Sequence, residues 1–145
     1  EVLDERKAKG IIDVVGPDAS LIKNDVDKYE RGKKILENLT GVKEKEPKIG
    51  YSAFSPEIDI FLKAHLCADI FERDVLTYKQ RELVTISILS SLTGVEPMLE
   101  AHMKISLNKG ITPGQWKQYT DSISLAIGKK EGQISHQVLD KVLKR

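Results

Sequence analysis

The sequence predicts an all-α fold, a compact bundle of six to seven helices, on three observations. Apolar residues recur at helical spacing in at least four segments. Capping-box signatures at Thr77 with Gln80 and at Thr112 with Gln115 mark helix starts. Gly41, Gly94 and Gly110 stand where left-handed helix stops belong. Strand signals are nearly absent.

Taken in order, Val2 to Val15 predicts a short helix that stops at Gly16-Pro17. Asn24 or Asp25 is the expected cap of the next, in which Val26, Tyr29, Ile35, Leu36 and Leu39 recur before Gly41 ends it. Lys43 to Tyr51 is polar, carries Pro47 and Gly50, and reads as a surface connection. Ser55-Pro56-Glu57 combines an N-cap serine, a first-turn proline and an acid at the positive helix end, and predicts a helix to about Phe71 or Glu72. From Thr77 a helix carries Ile86, Leu89 and Leu92 to Thr93-Gly94, and another spans Glu96 to Lys109. Thr112 opens one to about Ile127, Gly128 interrupts, and a last helix carries Ile134, Val138, Leu139 and Val142. At 145 residues the whole chain, 1–145, is expected to form a single domain with its own core.

Composition closes several function classes. A net charge of +1 with 31% interspersed charged residues argues against nucleic acid as a partner. The Lys33-Lys34 and Lys129-Lys130 pairs lie near acids and read as solvated helix faces. No apolar run approaches the roughly 18 residues needed to span a bilayer, so no membrane partner is expected. The one cysteine, Cys67, excludes an intrachain disulfide and any CxxC centre; between Leu66 and Ala68 it reads as a small buried hydrophobe. No metal site is expected. The chain opens at Glu1 without a methionine, which suggests a trimmed or processed product. The default location is cytoplasmic, with a removed signal peptide and export left open.

Helix wheels single out three ionisable residues. Glu82 borders Thr85, Ile86 and Leu89. His102 borders Met98, Leu99, Ile105 and Ser106, and His65 borders Phe61, Leu62, Ala68 and Asp69. If their helices pack together, a polar pocket inside a bundle follows. Each has a plainer reading. A lone histidine on an apolar stripe is ordinarily a hydrogen-bonded core residue, and Glu82 alone would pair with Arg81, Lys79 or a neighbouring chain. Asp69 lies one turn from both His65 and Arg73, so each is expected to pair with it. His136 reads as a surface residue of the last helix.

The run RELVTISILSSL (Arg81 to Leu92), a histidine ten residues later, and SLNKGIT (Ser106 to Thr112) resemble the carboxymuconolactone decarboxylase family. The resemblance covers about residues 29–126 and leaves an N-terminal extension, 1–24, without counterpart. It implies an alkylhydroperoxidase-like helical fold, assembly into homotrimers or homohexamers, and a cofactor-free site for a small-molecule substrate. Glu82 and His102 carry over as catalytic residues; His65 and Arg73 are weaker candidates for binding a substrate carboxylate. The family's thiol peroxidase branch places a CxxC just before the motif histidine, but those positions here are Val95 and Met98, and neither forms a thiolate. Peroxiredoxin-type antioxidant activity is therefore the least expected reading. The leading one is cofactor-independent decarboxylation, or a related proton transfer, on a small lactone or keto acid. The alternative is a non-catalytic small-molecule binding or assembly module.

Overall fold

The computed structural model describes residues 1–22 and 26–144. Among the described residues there are eight α-helices, one π-helical segment and no strand, so the all-α expectation holds. The elements are α1 (Val2–Ala8), α2 (Lys28–Thr40), α3 (Tyr51–Phe54), α4 (Pro56–Phe61) running on as a π segment (Leu62–Phe71), α5 (Tyr78–Ser90), α6 (Glu96–Asn108), α7 (Pro113–Ala126) and α8 (Lys129–Leu143). No helix among them is long and apolar enough to cross a membrane.

The caps were legible. Thr77 and Thr112 each accept from the backbone N–H three residues on, and Gln80 and Gln115 answer from their side chains. Gly41, Gly94 and Gly110 adopt positive φ, where a side chain would be strained. Other boundaries moved. α1 stops at Ala8, because Ile11 to Val15 has no core to pack against and stays irregular and exposed. The cap of α2 is Asp27, whose carboxylate accepts from the amides of Tyr29 and Glu30. The expected caps Asn24 and Asp25 lie outside the described residues. Ser55 precedes Pro56 as expected, but its hydroxyl makes no cap bond.

The helix expected from Ser55 to Phe71 is one continuous rod, yet from Leu62 its turns widen to the i→i+5 pattern. The amide of Glu72, for example, donates to the carbonyl of Cys67 at 3.0 Å. α2 lies along this segment, so closely at Gly32 that a Cβ there would sit 1.8 Å from the Lys63 carbonyl oxygen. α5 packs on α6, and α8 packs on both α6 and α7.

Two apolar clusters result. The larger unites Ile86 and Leu89 of α5, Leu99 and Met103 of α6, Ile111, Trp116 of α7, and Val138, Leu139 and Val142 of α8. The smaller joins Ile35 and Leu39 of α2 to Cys67 and Phe71 of the π segment, with Tyr78 and Ile105 packed on it. Burying such side chains is the main term holding the helices together, at roughly 25 cal/mol per Å² of apolar surface removed from water. The Trp116 indole N–H donates to the buried Ser106 hydroxyl at 2.8 Å, so the largest core side chain leaves no polar atom unmet.

Candidate functional site

Glu82 and His102 meet at the seam between the two clusters. On α5, Tyr78 one turn before Glu82 packs on the smaller cluster, while Ile86 one turn after belongs to the larger. On α6, Leu99 before His102 belongs to the larger cluster and Ile105 after it packs on the smaller. The two polar residues therefore occupy the point where apolar packing changes hands.

The geometry is that of a directed acid–imidazole pair. His102 Nδ1–H donates to Glu82 Oε2 at 2.8 Å. The Glu82 side chain is 0% exposed and that of His102 is 24% exposed, so the carboxylate stands behind a ring that reaches the surface. An ionised carboxylate can only accept, so the bond fixes the proton on Nδ1 and leaves Nε2 to the outside. Nε2 has no hydrogen-bond partner among the described residues. Glu82 Oε1 is buried and likewise accepts no bond. A carboxylate with one unmet oxygen in an apolar seam is an expensive arrangement, and it concentrates the electrostatic demand on the imidazole.

Two of the plainer partners named for Glu82, Lys79 and Arg81, each donate to a backbone carbonyl instead. Lys79 Nζ donates to the Gly110 carbonyl at 3.1 Å, and Arg81 Nη2 donates to the Arg73 carbonyl at 2.7 Å. His65 is not brought to this pair. It lines a cleft with Lys28, Glu57, Ile60, Phe61, Ala64 and Asp69, and its Nδ1 lies 3.3 Å from Asp69 Oδ2. Asp69 takes Lys28 as its cation, at 2.9 Å, in place of the expected Arg73. The hydrogen bond from Lys28, then that from His65, hold its carboxyl below the ordinary carboxylate range. Arg73 lines two other clefts, beneath the extended segment that includes Ala19. The Ser20 amide pins that segment by donating to Asp74 at 3.0 Å. His65 and Arg73 thus line different clefts, which meet at the Lys28–Asp69 pair.

Of two further expectations, that for Cys67 holds and that for His136 needs adjusting. Cys67 is buried as expected, and burial pushes its thiol up to about 11, which leaves almost no thiolate near neutrality. His136 is half-buried and bridges α7 to α8, with Nδ1 3.1 Å from the Thr120 hydroxyl and Nε2 3.0 Å from Asp121.

Sequence reasoning missed the most heavily charged part of the interior. Asp59 and Lys63, one turn apart on α4 and the π segment, are both buried and paired at 2.8 Å. Lys63 also donates to Glu44 and to the Tyr29 hydroxyl, and Lys48 and Ser52 close the ring around Asp59 at 2.7 and 2.9 Å. Burial alone raises the Asp59 carboxyl, but hydrogen bonds from Lys48, Lys63 and Ser52 outweigh it and hold the group well below its ordinary range. Burial alone lowers the Lys63 ammonium; Asp59, Glu44 and Tyr29 outweigh that and hold it well above. A lysine kept protonated has no lone pair for covalent chemistry, so this is an ion network and not a nucleophilic centre. The available signal was an Asp and a Lys at i, i+4 inside the apolar run from Ile58 to Phe71.

Among the described residues no group of three or more His, Cys, Asp or Glu side chains is placed to hold a metal ion. No family model matches the chain. It is similar to the 4-carboxymuconolactone decarboxylase of Acinetobacter baylyi (strain ATCC 33305 / BD413 / ADP1), with 25% identity over 122 residues that cover 83% of this chain and 90% of the relative.

Proposed function

We propose that this chain is a carboxymuconolactone decarboxylase-like protein in which Glu82 and His102 carry cofactor-independent decarboxylation, or a related proton transfer, on a small lactone or keto acid. The observation that carries the reading is the 2.8 Å bond from a surface-reaching imidazole to a fully buried carboxylate, which leaves Nε2 outward and unpartnered. Similarity to a decarboxylase over most of the chain supports the same chemistry. The bond between the substrate's carbon and its carboxylate breaks, CO2 leaves, and the electron pair passes onto a conjugated carbonyl. The Nε2–H of a protonated His102 then delivers its proton to carbon, and solvent restores it. Glu82 holds the ring in one tautomer and stabilises the imidazolium.

A screen of lactones and β-keto acids for CO2 release finds the substrate. With that substrate, His102→Asn should lower turnover by about 10²–10⁴-fold, the usual contribution of a positioned general acid. Glu82→Gln should also lose turnover, because an amide can orient the ring but cannot stabilise its charge. Wild-type rates in both folded variants would hand the protein to the binding-module reading.

We also propose that the chain acts as a homo-oligomer, a trimer or a pair of trimers. α4 and α5 leave Ile58, Ile60, Phe61, Val84 and Ile88 exposed, more apolar surface than a lone small bundle ordinarily shows to water. Ile127 is exposed too. Light scattering at micromolar concentration should return a multiple of 16.3 kDa; a single-chain mass contradicts assembly.

A further inference from the structure

A sizeable cleft lies remote from the acid–imidazole pair. It measures about 440 Å³, lies between α2 and the connection that leads into α3, and shares no lining residue with Glu82 or His102. Its size falls in the range of small-molecule sites, roughly 300–1,000 Å³. Two features define it chemically.

The first is apolar surface with nothing to cover it. Leu36 of α2 faces Val42, Ile49 and Tyr51 across the cleft, and Val42 and Ile49 are 60% and 73% exposed. Within a concave surface such side chains gain by taking up the apolar body of a ligand. The second is charge. Lys33, Lys43, Lys45, Lys48 and Lys63 line the cleft, against Glu37 and Glu44, with Asp59 behind them. Glu44 pairs with Lys33 at 3.2 Å and with Lys63, and Asp59 pairs with Lys48 and Lys63. Glu37 accepts the Glu44 amide at 2.9 Å. Lys43 and Lys45 have no carboxylate partner among the described residues, and both line the cleft from alternate positions of a non-helical segment. Glu44 and Asp59 are thus already paired with lysines, and with five lysines against these two and Glu37 the positive charge at the rim is in excess.

We propose that this cleft binds a small organic carboxylate with an apolar body, its anion at Lys43 and Lys45 and its body against Leu36, Val42, Ile49 and Tyr51. A cation would meet an uncompensated positive rim. A fully charged solute would leave the apolar walls in water. Only an anion with one apolar end answers both features.

Titration calorimetry with 2-naphthoate, and with neutral 2-naphthylmethanol as its uncharged counterpart, tests this. The expected result is one saturable naphthoate site, about tenfold weaker for the alcohol and weakened by added salt. Lys43→Glu with Lys45→Glu should lower naphthoate affinity by more than tenfold, and Val42→Asp should lower affinity for both probes. Both lysines are exposed, and circular dichroism checks the fold; Lys43→Gln with Lys45→Gln carries the same test if the reversal unfolds the chain. His102→Asn should bind naphthoate as the wild type does, which separates this site from the proposed chemistry. Absence of saturable binding at millimolar probe, equal affinity for alcohol and acid, indifference to both lysine pairs, or loss of binding in His102→Asn would each overturn the proposal.

Discussion

A buried carboxylate that spends one oxygen on an imidazole and leaves the other unmet makes the choice of variant matter. His102→Ala would strand Glu82 with neither oxygen bonded, so it tests stability and chemistry together. Breaking a buried charge-bearing pair by removing one partner typically costs about 3–5 kcal/mol. We therefore expect His102→Ala to lower the urea midpoint markedly and His102→Asn, which keeps a donor near Oε2, to lower it much less; equal midpoints would mean that water serves Oε2 equally well. At this scale the sequence disclosed much. Helical spacing put Glu82 and His102 on the apolar borders of consecutive helices, the family resemblance singled them out as a pair, and a 2.8 Å contact joins them. It disclosed less of Lys63, because nothing local says that Glu44 and Tyr29, distant in sequence, converge on the same nitrogen. Long-range convergence is what a helix wheel cannot carry.

Among the elements, the π segment and α2 depend on one glycine. A Cβ at Gly32 would meet the Lys63 carbonyl oxygen at 1.8 Å and its carbon at 2.5 Å, and backbone cannot swing aside as a side chain can. Overpacking of this kind ordinarily costs about 1–3 kcal/mol, so Gly32→Ala should lower stability by at least that much. Gly114, near the start of α7, has open space where its Cβ would stand. Gly114→Ala should be neutral, or stabilising by up to about 1 kcal/mol, since alanine is the better helix former. Urea unfolding of the two variants checks the contrast, and equal losses would contradict it. Capping boxes and glycine stops placed the start of α5 and both ends of α6 and α7 within a residue or so, because those signals are local, whereas α5 ends at Ser90, short of the expected Leu92. The end of α1 and the widened turns after Leu62 escaped, because both depend on whether a core lies alongside.

For the whole molecule, the Asp59–Lys63 network sets a pH window. Asp59 and Glu44 are held below their ordinary values of 3.8 and 4.5, so their stabilisation is present above those values and is lost as pH falls through the depressed ones. Lys63 and Lys48 are held above their ordinary 10.5, so theirs is present below that value and is lost as pH rises through the raised ones. Unfolding free energy should be level between about pH 4.5 and 10.5 as far as these groups determine it, and should fall on either side. Urea titrations across pH check it. Asp59→Asn should lower the plateau and flatten the acid slope, whereas an unaltered acid slope in that variant would place the sensitive carboxyl elsewhere.

The unmet oxygen of Glu82 also bears on how such a chain can change over generations. An apolar pair of similar volume would seal the seam between the two clusters at least as well as an ion pair does, since replacing buried charges with hydrophobes is often neutral or stabilising. Selection for robustness alone would therefore erase this acid and this imidazole, and a descendant freed from the proposed chemistry would be the sturdier molecule.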